Sequence, residues 1–193
     1  MIKRLIFTFL ILFSIPVAAA AADSGDRLRV GITLHPYYSY VANIVKDRAE
    51  IVPLVNAGFN PHSYELQPAD LKRLITMDAL VVNGIGHDEF AFRALEALEA
   101  QNATQAKAIE VIHANKDVPL LAAENTAGAW NPHTFVSISA AIRQIYTIAK
   151  ALGELDPNNA RFYKKNAVAY ARTLRQLKNK YSQQLLGMEL GDV

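Results

Sequence analysis

Two hydrophobic periods alternate along this chain. The stretch Leu28-Arg29-Val30-Gly31-Ile32-Thr33-Leu34 alternates apolar with polar or small residues, the period of a strand. Pro36 then opens a stretch of helical spacing through Tyr40, Ile44 and Val45. Ile51 to Val55 predicts a second strand, placed at a sheet edge because Pro53 has no N–H to give to a ladder. Past Gly58 and Pro61, a helix is predicted from Pro68, with Asp70 in its first turn and Leu71, Leu74 and Ile75 on one face. Gln67 is a poor N-cap for it. Ala79-Leu80-Val81-Val82 is the short apolar run of a strand buried on both faces, and it ends at the tight turn Asn83-Gly84-Ile85-Gly86. A helix carrying Phe90, Leu95 and Leu98 and a strand over Ala108 to Ile112 come next.

The remaining pattern is helical. Lys116 to Trp130 is irregular and reads as a loop. Beyond it Ile138, Ile142, Ile145, Ala149 and Leu152 recur at spacings of four, three, four and three, and Gly153 stands where a C-terminal cap belongs. Asp156-Pro157 has the form of an N-cap followed by Pro at the first helical position. A stripe through Tyr163, Ala167, Tyr170, Leu174, Leu177, Tyr181 and Leu185 then predicts a helix reaching to Gly187. At 1.5 Å per residue it would be about 45 Å long. Its far end would leave apolar surface without a partner, unless it folds back or meets another chain. Strands alternating with helices put the fold in the α/β class: a parallel four-stranded sheet flanked by helices, then one long helix.

The first residues stand apart from this pattern. Lys3 and Arg4 precede the apolar run Leu5 to Val17, and Ala18 to Ala22 supplies small residues for cleavage, so residues 1–22 read as a signal peptide. The run is too short to span a bilayer at about 20 residues. An exported, periplasmic protein is expected. There is no cysteine, which removes a disulfide framework and an N-terminal lipid attachment site. Without Lys3 and Arg4, the 20 basic residues fall level with the 18 acidic ones. A neutral sum argues against nucleic acid or an acidic membrane as partner.

Candidate chemistry centres on a repeated tripeptide. Asn60-Pro61-His62 and Asn131-Pro132-His133 are each followed two residues later by an aromatic, Tyr64 and Phe135. Proline stiffens both turns, and both stand ahead of a helical pattern, where α/β proteins gather ligands. His62 and His133 read as two ligands of one metal ion, with neutral imidazole donors. Taken singly, each has a plainer reading, as a capping loop histidine or as a residue at a helix start. His87, after Gly86, or its neighbour Asp88, offers a third ligand; the commoner reading is a solvated helix start with Asp88 and Glu89 on the dipole. His35 reads as packing, and His113 has no partner motif. Asn83-Gly84-Ile85-Gly86 lacks the third glycine of a dinucleotide fingerprint, and no G-x-S-x-G, H-E-x-x-H or Walker sequence occurs.

Several segments together resemble one family. Asn60 to Leu74, Val81 to Phe90, Asn131 to Phe135 and Leu155 to Ala160 are similar, in that order, to signatures of the zinc/manganese-type solute-binding proteins of ABC importers. The resemblance implies two similar lobes joined by a rigid helix, with metal between them. On it, residues 23–155 match the N-terminal metal-binding lobe, 156–187 the linking helix and 188–193 the stub of a second lobe. His62 and His133 match the two ligands of the first lobe. The family's other two, a His or Glu and then an Asp, come from the second, and this chain stops before either, as a truncated product would.

The function expected from the resemblance is capture of a divalent transition metal for delivery to an ABC importer permease in the inner membrane, by a protein that is monomeric at full length. Zn2+ is favoured over Mn2+, because two imidazoles without a carboxylate suit zinc better. The absence of a His-rich acidic loop in Lys116 to Trp130 tells slightly the other way. The alternative is a periplasmic zinc-dependent hydrolase whose open coordination positions hold an attacking water, with His87 and Glu89 as the nearby third ligand and base.

Overall fold

Four strands lie parallel in one sheet: β1 (Leu28–Ile32), β2 (Ala49–Pro53), β3 (Ala79–Val82) and β4 (Glu110–His113), in the order β2-β1-β3-β4. They belong to a computed structural model that describes residues 27–55, 58, 60–101, 108–124 and 128–186. The expected leader and the expected stub over 188–193 lie outside the described residues. Each strand exists, but the pairing sets its limits. Arg29 N donates to the Asp78 carboxylate and Asp78 N to the Arg29 carbonyl, which fixes the near ends of β1 and β3. Pro53 pairs with Ile32 at the last register position of β2, on the sheet edge that its missing N–H requires.

Alternation along β3 builds two cores. Ala79 and Val81 face α1 (His35–Val45), α4 (Ile138–Leu155) and α5 (Ala160–Leu186), where Tyr37, Ile44, Ile145, Ile148 and Leu152 are buried. Leu80 and Val82 face the opposite layer, α2 (Pro68–Leu74) and α3 (Glu89–Gln101), with Leu74, Met77 and Phe90. Burial on both faces accounts for the unbroken apolar run of β3. Pro36 lies in the first turn of α1, and Pro68 in that of α2, where a missing N–H costs nothing. The weak cap at Gln67 is remedied from inside the helix: Asp70 Oδ2 accepts from Gln67 N at 2.9 Å.

Two expectations at the C-terminal helices need correction. Gly153 does not end α4; it lies inside the helix, which runs to Leu155. Its lack of a side chain serves helix contact instead, since a Cβ there would stand 3.1 Å from the Ala160 Cβ. Pro157 falls in the turn before α5, which starts at Ala160. Asp156 still anchors that turn, its Oδ2 accepting from Tyr163 Oη at 2.6 Å and Asn159 Nδ2 at 2.8 Å. The 27 residues of α5 span about 40 Å. Its first half buries Tyr163, Ala167 and Ala171 against the layer below, while Leu177, Tyr181 and Leu185 continue the same stripe exposed.

One close approach holds β1 against the layer beneath. A Cβ on Gly31 would lie 2.2 Å from Met77 Sδ and 2.8 Å from Leu80 Cδ1. Gly31→Ala is expected to lower unfolding stability by about 1–3 kcal/mol through overpacking. Urea denaturation measures it, and an unchanged midpoint would show that Met77 moves aside freely.

Candidate metal centre

Three loops leave the C-terminal ends of β2, β3 and β4, and each carries one histidine. His62 sits in a 3-10 turn over Pro61–Ser63, His87 in the turn between β3 and α3, and His133 just before a 3-10 turn over Thr134–Val136. Sheet order reverses direction beside β1, so these loops converge on the crevice where open α/β sheets bind ligands. His62, His87 and His133 each bring a ring nitrogen to within 4.8 Å of the other two. Ring centroids are 4.2 Å apart for His62–His87, 5.0 Å for His87–His133 and 5.6 Å for His62–His133.

The repeated tripeptide has a structural cause. Asn60 Oδ1 accepts from His62 N at 3.0 Å, and Asn131 Oδ1 accepts from His133 N at the same distance. Each asparagine thus closes a small turn over a proline whose φ is already set, and the histidine leaves it in a fixed direction. Asn131 Oδ1 also stands 3.0 Å from His133 Nδ1. As that oxygen is an acceptor, Nδ1 carries the proton and the Nε2 lone pair is free for a ligand. The irregular stretch before it is tied by a bridge between Ala122 and Trp130 and by Asn131 N donating to the Leu121 carbonyl.

His62 is anchored from the other side. Tyr64 Oη donates to Asp70 Oδ2 at 2.6 Å, and the Tyr64 ring packs edge-on against Phe90. Arg73 pairs with the same buried carboxylate and donates to the Leu54 carbonyl. Burial, and then the bond to Asp70, push the Tyr64 phenol up to about 12, so it remains a donor.

His87 and Asp88 depart from the expected solvated helix start: both are buried. Asp88 accepts from Asn83 N at 2.6 Å, Thr33 Oγ1 at 2.7 Å and Gly84 N at 3.0 Å. Its oxygens are committed to the turn. Gly84 and Gly86 both hold positive φ, which lets the chain wrap around that carboxylate. His87 is 6% exposed, and its Nδ1 is buried without a hydrogen-bond partner. Burial, then the charges that His62 and His133 would carry, push this imidazole down to about 4, against a weaker opposing pull from Asp88. It is a neutral donor at physiological pH. The sequence held a signal for this, since a carboxylate just behind a glycine turn collects the turn's free N–H groups and draws its neighbour inward.

A polar network joins the loops. Asn83 Nδ2 donates to the Pro132 carbonyl, Asn115 Nδ2 to the Asn83 carbonyl, and both Thr134 Oγ1 and Gln144 Nε2 to Asn115 Oδ1. The His133 segment is thereby bound to the turn that carries His87. Beside the cluster, a cavity of about 650 Å³ has mainly apolar walls that include Leu34, Val55 and Phe135. His35 and His113 stay outside the cluster. His35 is exposed and stacked on Tyr38, and His113 lies over Phe92 and against Gly84. Glu89, the base that hydrolysis would need, is exposed at the first position of α3.

Comparison with known proteins agrees with this architecture. The profile of the family described as ZnuA, zinc-uptake complex component A, periplasmic, matches residues 30–190. The metal ABC transporter substrate-binding lipoprotein FimA of Streptococcus parasanguinis is 31% identical over 180 residues, which are 90% of this chain and 57% of that protein. The structure of FpvC from Pseudomonas aeruginosa with Mn2+ is 56% identical, with a TM-score of 0.71 over 80% of this chain and 54% of the other. A zinc-bound ZnuA deletion mutant superposes with a TM-score of 0.74 at 29% identity, over 84% of this chain and 60% of the other. The chain therefore spans between half and three fifths of the length of these proteins. FimA is a lipoprotein by name, so the expected absence of a lipid anchor draws no support from it. These relatives are substrate-binding or uptake proteins rather than enzymes, and the hydrolytic alternative is set aside.

Two measurements test the geometry without metal. Asp88→Asn places an amide NH2 against backbone donors and is expected to cost roughly 2–3 kcal/mol of stability. A variant at this position as stable as the parent would show the turn does not depend on the carboxylate. Because residue 87 is held below its unfolded value, the unfolded chain takes up that proton first on acidification. EDTA-treated protein should accordingly lose stability as pH falls from about 6.5 towards 4, and His87→Gln should flatten that slope. Equal slopes in both proteins would contradict the assignment.

Proposed function

Because this chain belongs to the ZnuA family of periplasmic zinc-uptake components, we propose that it captures one divalent transition-metal ion through His62, His87 and His133. The ion is cargo for an ABC importer permease in the inner membrane, and no reaction is catalysed. One observation carries this reading: three imidazole nitrogens from three separate loops lie within 4.8 Å of one another, and one of the three rings is buried. Ligand-to-ligand spans for nitrogen donors at ~2.0–2.1 Å from zinc reach a little over 3 Å, so modest closure of the cluster would seat the ion.

The chemistry of the donor set supports zinc over manganese. The cluster is all nitrogen, since Asp88 is bound into its turn, and imidazole suits zinc, nickel and copper whereas manganese takes carboxylate and carbonyl oxygen. Relatives do not decide the matter: FimA is named for metal without specification, FpvC has been seen with Mn2+ and with Ni2+, and the ZnuA mutant with zinc. Three imidazoles leave one position of a tetrahedral ion to a further donor, which on this reading a second lobe supplies. Residues 23–155 then act as the first lobe and the helix after it as the spacer between lobes.

Zinc titration at pH 7.5 is expected to give binding that weakens strongly at pH 5.5, because protonated imidazole cannot ligate. His62→Ala, His87→Ala and His133→Ala should each weaken it more than tenfold, and Asn131→Ala, which frees the His133 tautomer, by about tenfold. Mn2+ should bind less tightly than Zn2+ in the same assay. Affinity unchanged between the two pH values, or retained in His62→Ala and His133→Ala, would place the ligands elsewhere.

A further inference from the structure

The neutral total of the chain conceals a separation of charge. Between Ile138 and Leu186 nine Lys or Arg residues face only Glu154 and Asp156. Within α5 alone, seven cationic side chains from Arg161 to Lys180 occur with no Asp or Glu at all. All seven are exposed, and none pairs with a carboxylate among the described residues. A helix stabilised for its own sake would carry opposite charges three or four residues apart, so this composition is not explained by helix formation.

The charges are also arranged. At 3.6 residues per turn, Arg161, Lys164, Lys165, Arg172, Arg175 and Lys178 fall within an arc of about 140° and along about 26 Å of helix. α4 adds Arg143. Between the two helices runs a groove lined by Ser139, Ile142, Arg143, Tyr146, Arg175 and Lys178, with no acidic residue in its walls. Arg175 donates to Tyr146 Oη at 3.3 Å and lies over that ring, and Lys178 donates to Ser139 Oγ at 2.8 Å. Neutral partners thus steer both cations while most of their donors stay unused. Ser139 is only six residues beyond His133, so the groove opens at the end of α4 nearest the histidines.

We propose that the cationic flank of α5, together with Arg143 of α4, docks an acidic segment of a partner polypeptide. A linear track of separated charges matches carboxylates repeated along a chain, whereas a single small anion needs donors that converge on one point. A bilayer fits less well. The exposed Leu177, Tyr181 and Leu185 are centred about a third of a turn from the middle of the track, and within the track Val168 is the one large apolar side chain exposed, too little surface for a wedge into lipid. The inference is independent of the metal reading, because it uses none of the three histidines.

The test is fluorescence anisotropy of a labelled oligoglutamate peptide with the parent protein and two variants. Binding is expected at low salt and should weaken steeply as salt is added. Arg143→Gln/Arg175→Gln/Lys178→Gln should weaken it about tenfold, while the control Lys72→Gln/Arg93→Gln on the opposite layer should bind as the parent does. Circular dichroism and zinc titration, unchanged in the triple variant, would show that it remains folded. No binding at low salt, or an equal loss in the control, would overturn the proposal. So would displacement of the peptide by inorganic phosphate at matched ionic strength, or binding to phosphatidylglycerol vesicles that the triple variant loses when no peptide binds. A concentration-dependent rise in mass on sedimentation, abolished in the triple variant, would assign the surface to a second copy of the chain and overturn it too.

Discussion

The Asp88 carboxylate holds together the parts of this molecule that chemistry requires. It is buried at the end of β3 and gathers two backbone N–H groups of its own turn and the hydroxyl of Thr33 from the end of β1. A buried carboxylate needs such donors, and donors in a tight turn need such an acceptor, so each removes the cost of burying the other. The consequence falls on the residue before it. His87 is carried inward with Asp88, stripped of water, and kept uncharged where the loops after β2 and β4 bring their own histidines. Without the carboxylate, the glycine turn would have its N–H groups to satisfy in solvent, and the third imidazole would leave with them.

Two different kinds of interaction share the work. Apolar layers on both faces of β3 fix where the strands end, and hence which edge gathers loops. Polar contacts then aim the loops. The Asn83–Pro132 and Asn115–Thr134–Gln144 bonds bind the His133 segment to the His87 turn, and Tyr64 with Asp70 and Arg73 holds the His62 segment from behind. Such support is what a site needs if three ring nitrogens are to be held close together on three separate loops.

Much of this was legible in the residues. Period two, period 3.6 and one unbroken apolar run located the four strands and five α-helices of the described residues, because burial on one or both faces writes those patterns directly. Strand limits and the ends of α4 and α5 were less readable: Gly153 looks like a terminator in sequence and is a contact point between helices in space. The repeat of Asn-Pro-His marked two of the three clustered histidines, and the turn chemistry of the asparagines explains the repeat. His87 was harder. It has no twin in the sequence, and acids beside it resemble a solvated helix start. The glycine turn ahead of Asp88 was the one sign that those acids divide, Asp88 turning inward and Glu89 outward. The balance of the total charge likewise gave no hint that α5 is cationic along one flank, since a sum carries no positions.

That flank and the cluster pose a question of electrostatic compatibility, because a protein that gathers cations gains nothing from positive charge beside its ligands. The answer lies in placement and in screening. The track runs along the outer helix, with α4 and the apolar core between most of it and the sheet edge. At physiological salt, exposed charges act over only about 8 Å. Meanwhile Asp88, directly behind His87, supplies the opposite sign and opposes the loss of its charge. A cation at the histidines therefore sees the buried carboxylate more strongly than the solvated lysines and arginines of α5, and the two surfaces can carry different partners on one small scaffold.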